Sequence, residues 1–405
     1  MIDRADVVVI GSGGFGASTA FHLVERGAGD VVVVDRYELA SQTSPRAAGL
    51  ISHARTTDLM CELVRRAAGK LERFTAETGQ PLDWTRPGSL KVARRPEDVP
   101  VVEGDFERGR RLGLDVELLS GDEANALHPL LQPDGVLAVL RVGEDLYFDP
   151  RDVAIGYVRG AEANGATFLP HTTVTRVDLA DGRVRAVETD RGTIRTSCVV
   201  DAAGAWTRQV AAASGIRIPL VPTRHQLFVT EPLDDVHADL PIVRVMDAAV
   251  YVRPCEGGLL WGGYEERPRF FDMDELPRDF ETPQTPLDAD VLWALADDVH
   301  AQLPVLRRAA VREHRGGLPT MTGDGQHILG PAPGAEGFFV AGGCNVSGLS
   351  VSPAVGEALA GWIVDGAPPL DLEPLSLARF AAAGVVQDEL ERRAAWEYRH
   401  FYGAR

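Results

Sequence analysis

The sequence predicts an α/β protein in which a nucleotide-type βαβ domain is interleaved with a second domain built on a mainly antiparallel sheet. Three observations carry this. The chain opens with an apolar run, VVVI at 7–10, then glycines, a helical stretch ASTAFHLVERG and a second run, VVVVD. This is the pattern of parallel strands buried on both faces and joined by a helix. Strands leading into glycines return far downstream, in SCVVDAAG and GFFVAGG. From Pro222 onward, HQLFVTEP, AAVYVRP and GGLLWGGYEE alternate instead, like antiparallel strands of a different sheet.

With 405 residues and 45% hydrophobic content, the chain is long enough for two cores, because single cores stop growing at roughly 250–300 residues. The nucleotide domain is predicted to start over residues 1–85, where the βαβ unit gives way after Asp35 to the polar stretch ASQTSPRAAGLISHART and a long helical region through Phe74. Residues 86–147 are assigned to the second domain. The first domain resumes over 148–220, with a small meander turning at Asp181-Gly182 and Arg191-Gly192. The second domain continues over 221–312 and ends with a helix over Asp288 to Gln302. Over 313–370 the nucleotide domain closes with a strand running into glycines and the helix SVSPAVGEALAGWIVDG. Residues 371–405 form a C-terminal helical extension. In it, Leu390, Ala394, Tyr398, Phe401 and Tyr402 share a face that caps the fold.

Composition excludes several functions. A formal charge of −18, from 59 acidic against 41 basic residues, repels nucleic acid and anionic lipid. No apolar run approaches the ~20 residues that span a bilayer, and the acidic MIDRAD start lacks a signal-peptide pattern. The four cysteines, Cys61, Cys198, Cys255 and Cys344, form no CxxC pair and have no histidine at metal-ligand spacing. The expectation is a cytoplasmic protein without metal, membrane or nucleic-acid partner.

Gly11, Gly13 and Gly16 form GxGxxG between the first strand and first helix. The first glycine makes the turn, the second admits a pyrophosphate and the third lets helix pack on strand, with the helix N-terminus facing the phosphates. Asp35 ends the second strand 19 residues past Gly16, where it would accept ribose hydroxyls. This is a Rossmann-type dinucleotide site. The long detour between strands favours FAD over NAD, because FAD lies extended and several distant segments must touch it. Thr43, Ser44 and Arg46 are placed beside the pyrophosphate, Val174 near the adenine, and Ala203-Gly204 with Trp206 beneath the ring system. For Trp206 a core position is the alternative.

In order, SQTSPRAAGLIS, VVDAAGAW, VYVRPCEGGLLWGGYEE, TMTGDGQHILGPAPGAEGFFVAGG and NVSGLSVSPAVGEALAGWI resemble the D-amino acid oxidase superfamily of flavoproteins. GGYEERPRFFDMDELPRDFE, APPLDLEPLSLARF and WEYRHFY resemble the flavin halves of sarcosine and dimethylglycine dehydrogenases, without their folate-binding half. The resemblance implies a flavin that takes hydride from the carbon next to a substrate amine, giving an imine. It extends the cofactor set to Gly14, Arg36, Ala48, Gly49, Leu50, Gly317, Gly343, Asn345, Ser347, Gly348, Leu349 and Ser350. The 342–348 turn and the following helix would aim amides and a helix dipole at the flavin carbonyl. Simple capping of that helix is the other account of Asn345, Ser347 and Ser350.

Departures from the family pattern shape the expectations. Arg46 replaces the histidine that carries flavin covalently in the dehydrogenases, and Gly317 replaces the cysteine used by monomeric sarcosine oxidase, so the FAD is expected to be non-covalent. Leu260 falls where that oxidase has an oxygen-activating lysine, with Leu259 and Trp261 as apolar neighbours, which puts oxygen use in doubt. Its carboxylate-holding lysine and arginine fall at Ser350 and near Ser52. Tyr251 and Arg253, at i and i+2 on one strand face, are the substitutes. Tyr251 matches a pocket tyrosine, and Arg253 holds a carboxylate or is a surface arginine. Tyr264 matches a pocket histidine, while His53, Arg55, His225 and His314 lie in stretches expected to approach the ring. The catalytic set is Tyr251, Arg253, Tyr264 and His53. The predicted function is oxidation of a C–N bond in a secondary or tertiary amine, an N-alkylated or cyclic amino acid, with oxygen or another carrier as acceptor. Oxidation of a D-amino acid or 2-hydroxy acid is the alternative within the fold. A flavin-binding subunit of a larger complex is the alternative outside it.

Overall fold

A computed structural model describes residues 2–380 and 386–403. Residues 1, 381–385 and 404–405, part of the predicted C-terminal extension among them, lie outside the described residues.

The glycine-flanked apolar runs assemble into one six-stranded sheet. Val7–Ile10 sits at its centre, parallel to Val31–Val34 on one side and Val199–Asp201 on the other. Thr167–Leu169 and Phe338–Gly342 extend it in parallel, and Ile328–Pro331 adds an antiparallel edge. Helix Gly14–Glu25 covers one face between helices Pro150–Ala163 and Gly348–Asp365. The last crossing is close because a Cβ at Gly356 would come within 2.2 Å of Ser18 Oγ. The meander Val174–Ala180, Arg183–Thr189 and Gly192–Arg195 covers the other face.

The second sheet has eight strands. His225–Thr230, Val250–Cys255 and Gly258–Gly263 are among the predicted strands, and Ile242–Val245, Ser89–Ala93, Ala138–Val142, Val116–Leu119 and Val311–Gly317 complete it. Only the Ile242–Val245/Ser89–Ala93 pairing is parallel. Period-two alternation splits its residues between two cores. Val250, Val252, Leu259 and Trp261 pack with Leu292 and Leu295 of helix Ala289–Asp298, whereas Tyr251, Leu260 and Tyr264 pack on the face toward the first sheet. That helix ends four residues earlier than predicted, and the helix expected to run through Phe74 breaks at Arg73 into Asp58–Glu72 and Phe74–Thr78. Helix Gln387–Arg399 lays Leu390, Ala394 and Tyr398 on the Tyr251 side of the eight-stranded sheet.

Asp201, at the end of a central strand, is wholly buried. It accepts a hydrogen bond from Ala203 N (3.2 Å), and Thr207 is the nearby hydroxyl that also favours its charged form. Burial pushes its carboxyl from its ordinary 3.8 up to about 8. Because the acid titrates higher folded than unfolded, its neutral form suits the fold, and stability is lost as pH rises from the unfolded value toward the folded one. Asp201→Asn, an isostere of the neutral acid, is expected to raise the thermal midpoint by a few degrees at pH 8 and to have almost no effect near pH 4. Melting curves across that range check the trend.

Candidate active site

The seam between the two sheets encloses one elongated groove with two arms. The first arm, of about 350 Å³, is lined by Gly11, Gly13, Asp35, Arg36, Tyr37, Val174, Ala203, Gly204 and Trp206, among others. The second, of about 190 Å³, is lined by Gly13, Gly14, Ser44, Arg46, Ala48, Gly49, Leu50, Gly317, Ser347, Gly348, Leu349 and Ser350. It is also lined by a set from the second sheet and C-terminus: His225, Arg244, Tyr251, Tyr264, Phe401 and Tyr402. Gly13, Thr43, Ser44, Ala202 and Gly204 border both arms.

The glycines of the fingerprint have separate reasons. Gly11 has φ +96°, and a Cβ there would sit 2.6 Å from Ala202 O. A Cβ at Gly16 would collide with Gly11 O at 1.9 Å. Gly13 differs: its nearest protein atom would be Ser44 Oγ at 3.3 Å, so it keeps groove space open. Helix Gly14–Glu25 begins there without a side-chain cap, although Gly14 N donates to Ser44 Oγ (2.9 Å). Asp35 accepts from Ser12 N (2.7 Å), Ser12 Oγ (2.6 Å) and Tyr37 N (2.9 Å). Burial nevertheless raises its pKa above the ordinary carboxylate value. Arg36 donates to Arg278 O. Trp206, expected beneath a ring system, lies in the Asp35 arm and packs on Tyr37 with centroids 5.2 Å apart.

At the other end, helix Gly348–Asp365 also begins uncapped, at Ser347. The polar residues before it brace the turn: Asn345 Oδ1 accepts from Thr322 N (3.0 Å), its Nδ2 donates to Gly343 O (2.6 Å), and Ser350 Oγ donates to Ser347 O (2.6 Å). Asn345 and Val346 have φ of +43° and +61°. A β-branched residue in the left-handed region is strained, and such strain gathers at functional turns.

Four expectations are corrected here. Arg253 is 4% exposed, so it is no surface arginine, but neither does it face the cavity. Its guanidinium donates to Ala48 O and Pro254 O, both at 2.7 Å, and stacks on Tyr147. His53 is absent from the cavity wall, because its amide and Nδ1 bond Asp145 Oδ1 (2.8 and 3.1 Å). His314 turns to the far face, beside Phe228 and Gln226. Leu260 is buried on the Tyr251 face without lining the cavity, Leu259 and Trp261 belong to the opposite core, and arginines line the site. The apolar wall expected from Leu260, Leu259 and Trp261 is therefore absent from this arm, whose cations come from Arg46, Arg55 and Arg244.

Tyr251 and Tyr264 do line the cavity, and His225 joins them. Tyr264 stacks on Phe401 (4.6 Å, 16°) and meets Tyr402 edge-on (5.5 Å). Arg55 lies over Phe401 (5.4 Å), lines the cavity, and among the described residues has no carboxylate within ion-pair distance. Arg244 also lines it but is paired with Asp145 (2.9 Å). Burial works to raise the Asp145 carboxyl, yet His53, Arg244 and Ser89 together hold it below its ordinary value. Arg46 contributes a third cation. No Asp or Glu is among the residues lining this second arm. Arg244, Phe401 and Tyr402 were missed in the sequence because only the eight-stranded sheet and the C-terminal helix carry them here. The aromatic run WEYRHFY was the one available signal.

If groove space at Gly13 serves a ligand, Gly13→Val should keep the folded far-ultraviolet spectrum but lose bound FAD. Gly16→Val should unfold the protein, because it meets backbone. Flavin absorbance per folded chain after gel filtration separates the two.

A family model described as DAO, FAD dependent oxidoreductase, matches residues 6–362. Mitochondrial sarcosine dehydrogenase of Mus musculus is 33% identical over 382 residues, covering 93% of this chain and 41% of that protein. The formaldehyde-forming 4-methylaminobutanoate oxidase of Paenarthrobacter nicotinovorans is 29% identical over 374 residues, covering 92% of this chain and 45% of that protein. The chain thus spans less than half the length of these two relatives. The crystal structure of L-proline dehydrogenase from P. horikoshii superposes with a TM-score of 0.85 at 22% identity, covering 95% of this chain and 100% of that one, which is a likeness of fold. Among the described residues, no helix is long and apolar enough to cross a membrane.

Proposed function

This chain belongs to the DAO family of FAD-dependent oxidoreductases, and from that premise we propose that it oxidises the C–N bond of an N-alkylated amino acid to an imine. The groove suits the cofactor. Two uncapped helix N-termini face it, Gly13 leaves room for a pyrophosphate, and the other arm sets the Asp35 carboxylate among apolar walls where an adenosine would lie. FAD supplies the hydride acceptor; this chain's residues bind, orient and desolvate the amine.

The observation that carries the reading is the charge of the Tyr251 arm, which pairs three arginines with aromatic walls and has no carboxylate in its lining. Arg55, without an acidic partner, is the group to hold a substrate carboxylate, bidentately. Arg244 is already neutralised by Asp145 and serves to shape the wall. The same positive charge disfavours an ammonium, so the amine is encouraged to bind neutral with its lone pair free, as hydride loss requires. Tyr264, Phe401 and Tyr402 give the N-alkyl group an apolar seat. The names of the relatives, which include a sarcosine dehydrogenase and a 4-methylaminobutanoate oxidase, support amines of this class.

Arg55→Met is expected to raise the amine concentration for half-reduction of the flavin by ~10- to 1000-fold, the range for losing a charge-assisted bond of about 1.5–3 kcal/mol while stranding its partner. Anaerobic mixing with N-methylated amino acids, proline, D-amino acids and 2-hydroxy acids reads this out. Reduction by hydroxy acids alone would reject amine oxidation, and no reduction by any of them would favour a flavin-binding subunit. Since Arg46 and Gly317 offer no nucleophile, acid-precipitated protein should release all its FAD intact to the supernatant.

A further inference from the structure

Tyr251 and His225, both in the cavity wall, begin a chain of three side chains that ends on the buried Tyr398. Tyr251 Oη lies 3.0 Å from His225 Nε2, His225 Nδ1 lies 2.8 Å from Tyr398 Oη, and Tyr398 Oη donates to Arg224 O at 3.2 Å. A carbonyl only accepts, so the last bond consumes Tyr398's single hydrogen. Tyr398 must then accept from Nδ1–H of His225, whose Nε2 is left bare and must accept the hydrogen of Tyr251. All three bonds coexist in this one arrangement. Burial pushes the imidazole down to about 3, so it stays neutral and carries one ring hydrogen. Tyr251 Oη, having given its hydrogen away, has no other partner among the described residues. It is also wedged in place, since a Cβ on Gly262 would lie 2.6 Å from it.

We propose that Tyr398 and His225 fix Tyr251 as a hydrogen-bond acceptor toward the cavity, and that this selects amines which keep an N–H in the neutral, reactive form: secondary amines over tertiary ones. This rests on the amine-oxidation reading above. A secondary amine donates its N–H to Tyr251 Oη and keeps its lone pair free. A neutral tertiary amine has no hydrogen to give, and with no Asp or Glu lining the Tyr251 arm no carboxylate there rewards its protonated form. His225 and Tyr398 are positioning residues, and the C-terminal helix that carries Tyr398 becomes part of the specificity apparatus.

Two measurements on the FAD-loaded protein test this. Nitrogen-15 spectra of ring-labelled histidine, with His225 assigned through a His225→Gln variant, should show a neutral ring protonated on Nδ1 at pH 7. Protonation on Nε2, or on both nitrogens, overturns the proposal. Anaerobic flavin reduction by N-methylglycine and N,N-dimethylglycine gives the second. Tyr398→Phe frees His225 to donate from Nε2, turning Tyr251 into a donor, and Tyr251→Phe removes the acceptor. Each should lower the ratio of kcat/KM for the secondary over the tertiary amine by about threefold to tenfold, the loss of one neutral hydrogen bond. If both amines slow together and the ratio holds, the chain is only structural and the proposal fails. If wild-type flavin is reduced by neither amine, the substrate reading fails, while the histidine tautomer still decides the hydrogen-bond chain.

Discussion

The structure turns on one short loop, Ala47–Ile51, and on the arginines that hold its carbonyls. Arg253 donates to Ala48 O (2.7 Å), Arg244 to Ile51 O (3.2 Å) and Arg315 to Ala47 O (3.4 Å), and all three come from strands of the eight-stranded sheet. From the other side Phe148 N donates to Gly49 O and Ile51 N to Leu146 O, both within 3 Å. Gly49 is compelled by this approach, with φ +65° and Phe148 O 2.1 Å from any Cβ. A loop buried between two sheets cannot leave its carbonyls unpaired, and guanidinium groups supply donors that reach across the gap. These contacts tie the loop to both sheets beside the groove.

The same device governs electrostatics. Arg253 is removed from substrate recognition by its bonds to backbone, and burial lowers its pKa, with Cys255, Tyr147 and Asp149 offsetting only part of the cost. Arg244 is spent on Asp145, which also holds His53 and Ser89. Arg55, like Arg46, is a cavity cation without such a commitment, and it rests on the face of Phe401. Three similar side chains near one site thus acquire different work through their partners.

Aromatic groups show a parallel division. Phe401 and Tyr402 follow the last turn of a helix whose buried face, Leu390, Ala394 and Tyr398, is seated on the second sheet. Their position over Tyr264 depends on that docking rather than on any local preference. The helix is distant in sequence from everything it touches, and it completes both the cavity wall and the hydrogen-bond chain behind Tyr251.

What the sequence determined by itself was whatever depends on near neighbours along the chain. The βαβ start, the glycine fingerprint with Asp35, the alternation that places Tyr251 and Arg253 on one strand face, and the amphipathic C-terminal helix all follow from local periodicity and backbone sterics. Tertiary structure alone decided which charged and polar groups face the cavity. Arg253 and His53 had suitable chemistry and the wrong partners, Arg55 and His225 were two names among several, Arg244 was not singled out, and Tyr402 was placed only on a capping face. The physical reason is that a side chain's role here is set by what neutralises or satisfies it, and those partners, Asp145, Ala48 O and Tyr398, lie about 90 to 205 residues away in sequence and meet only when the two sheets close on their shared loop.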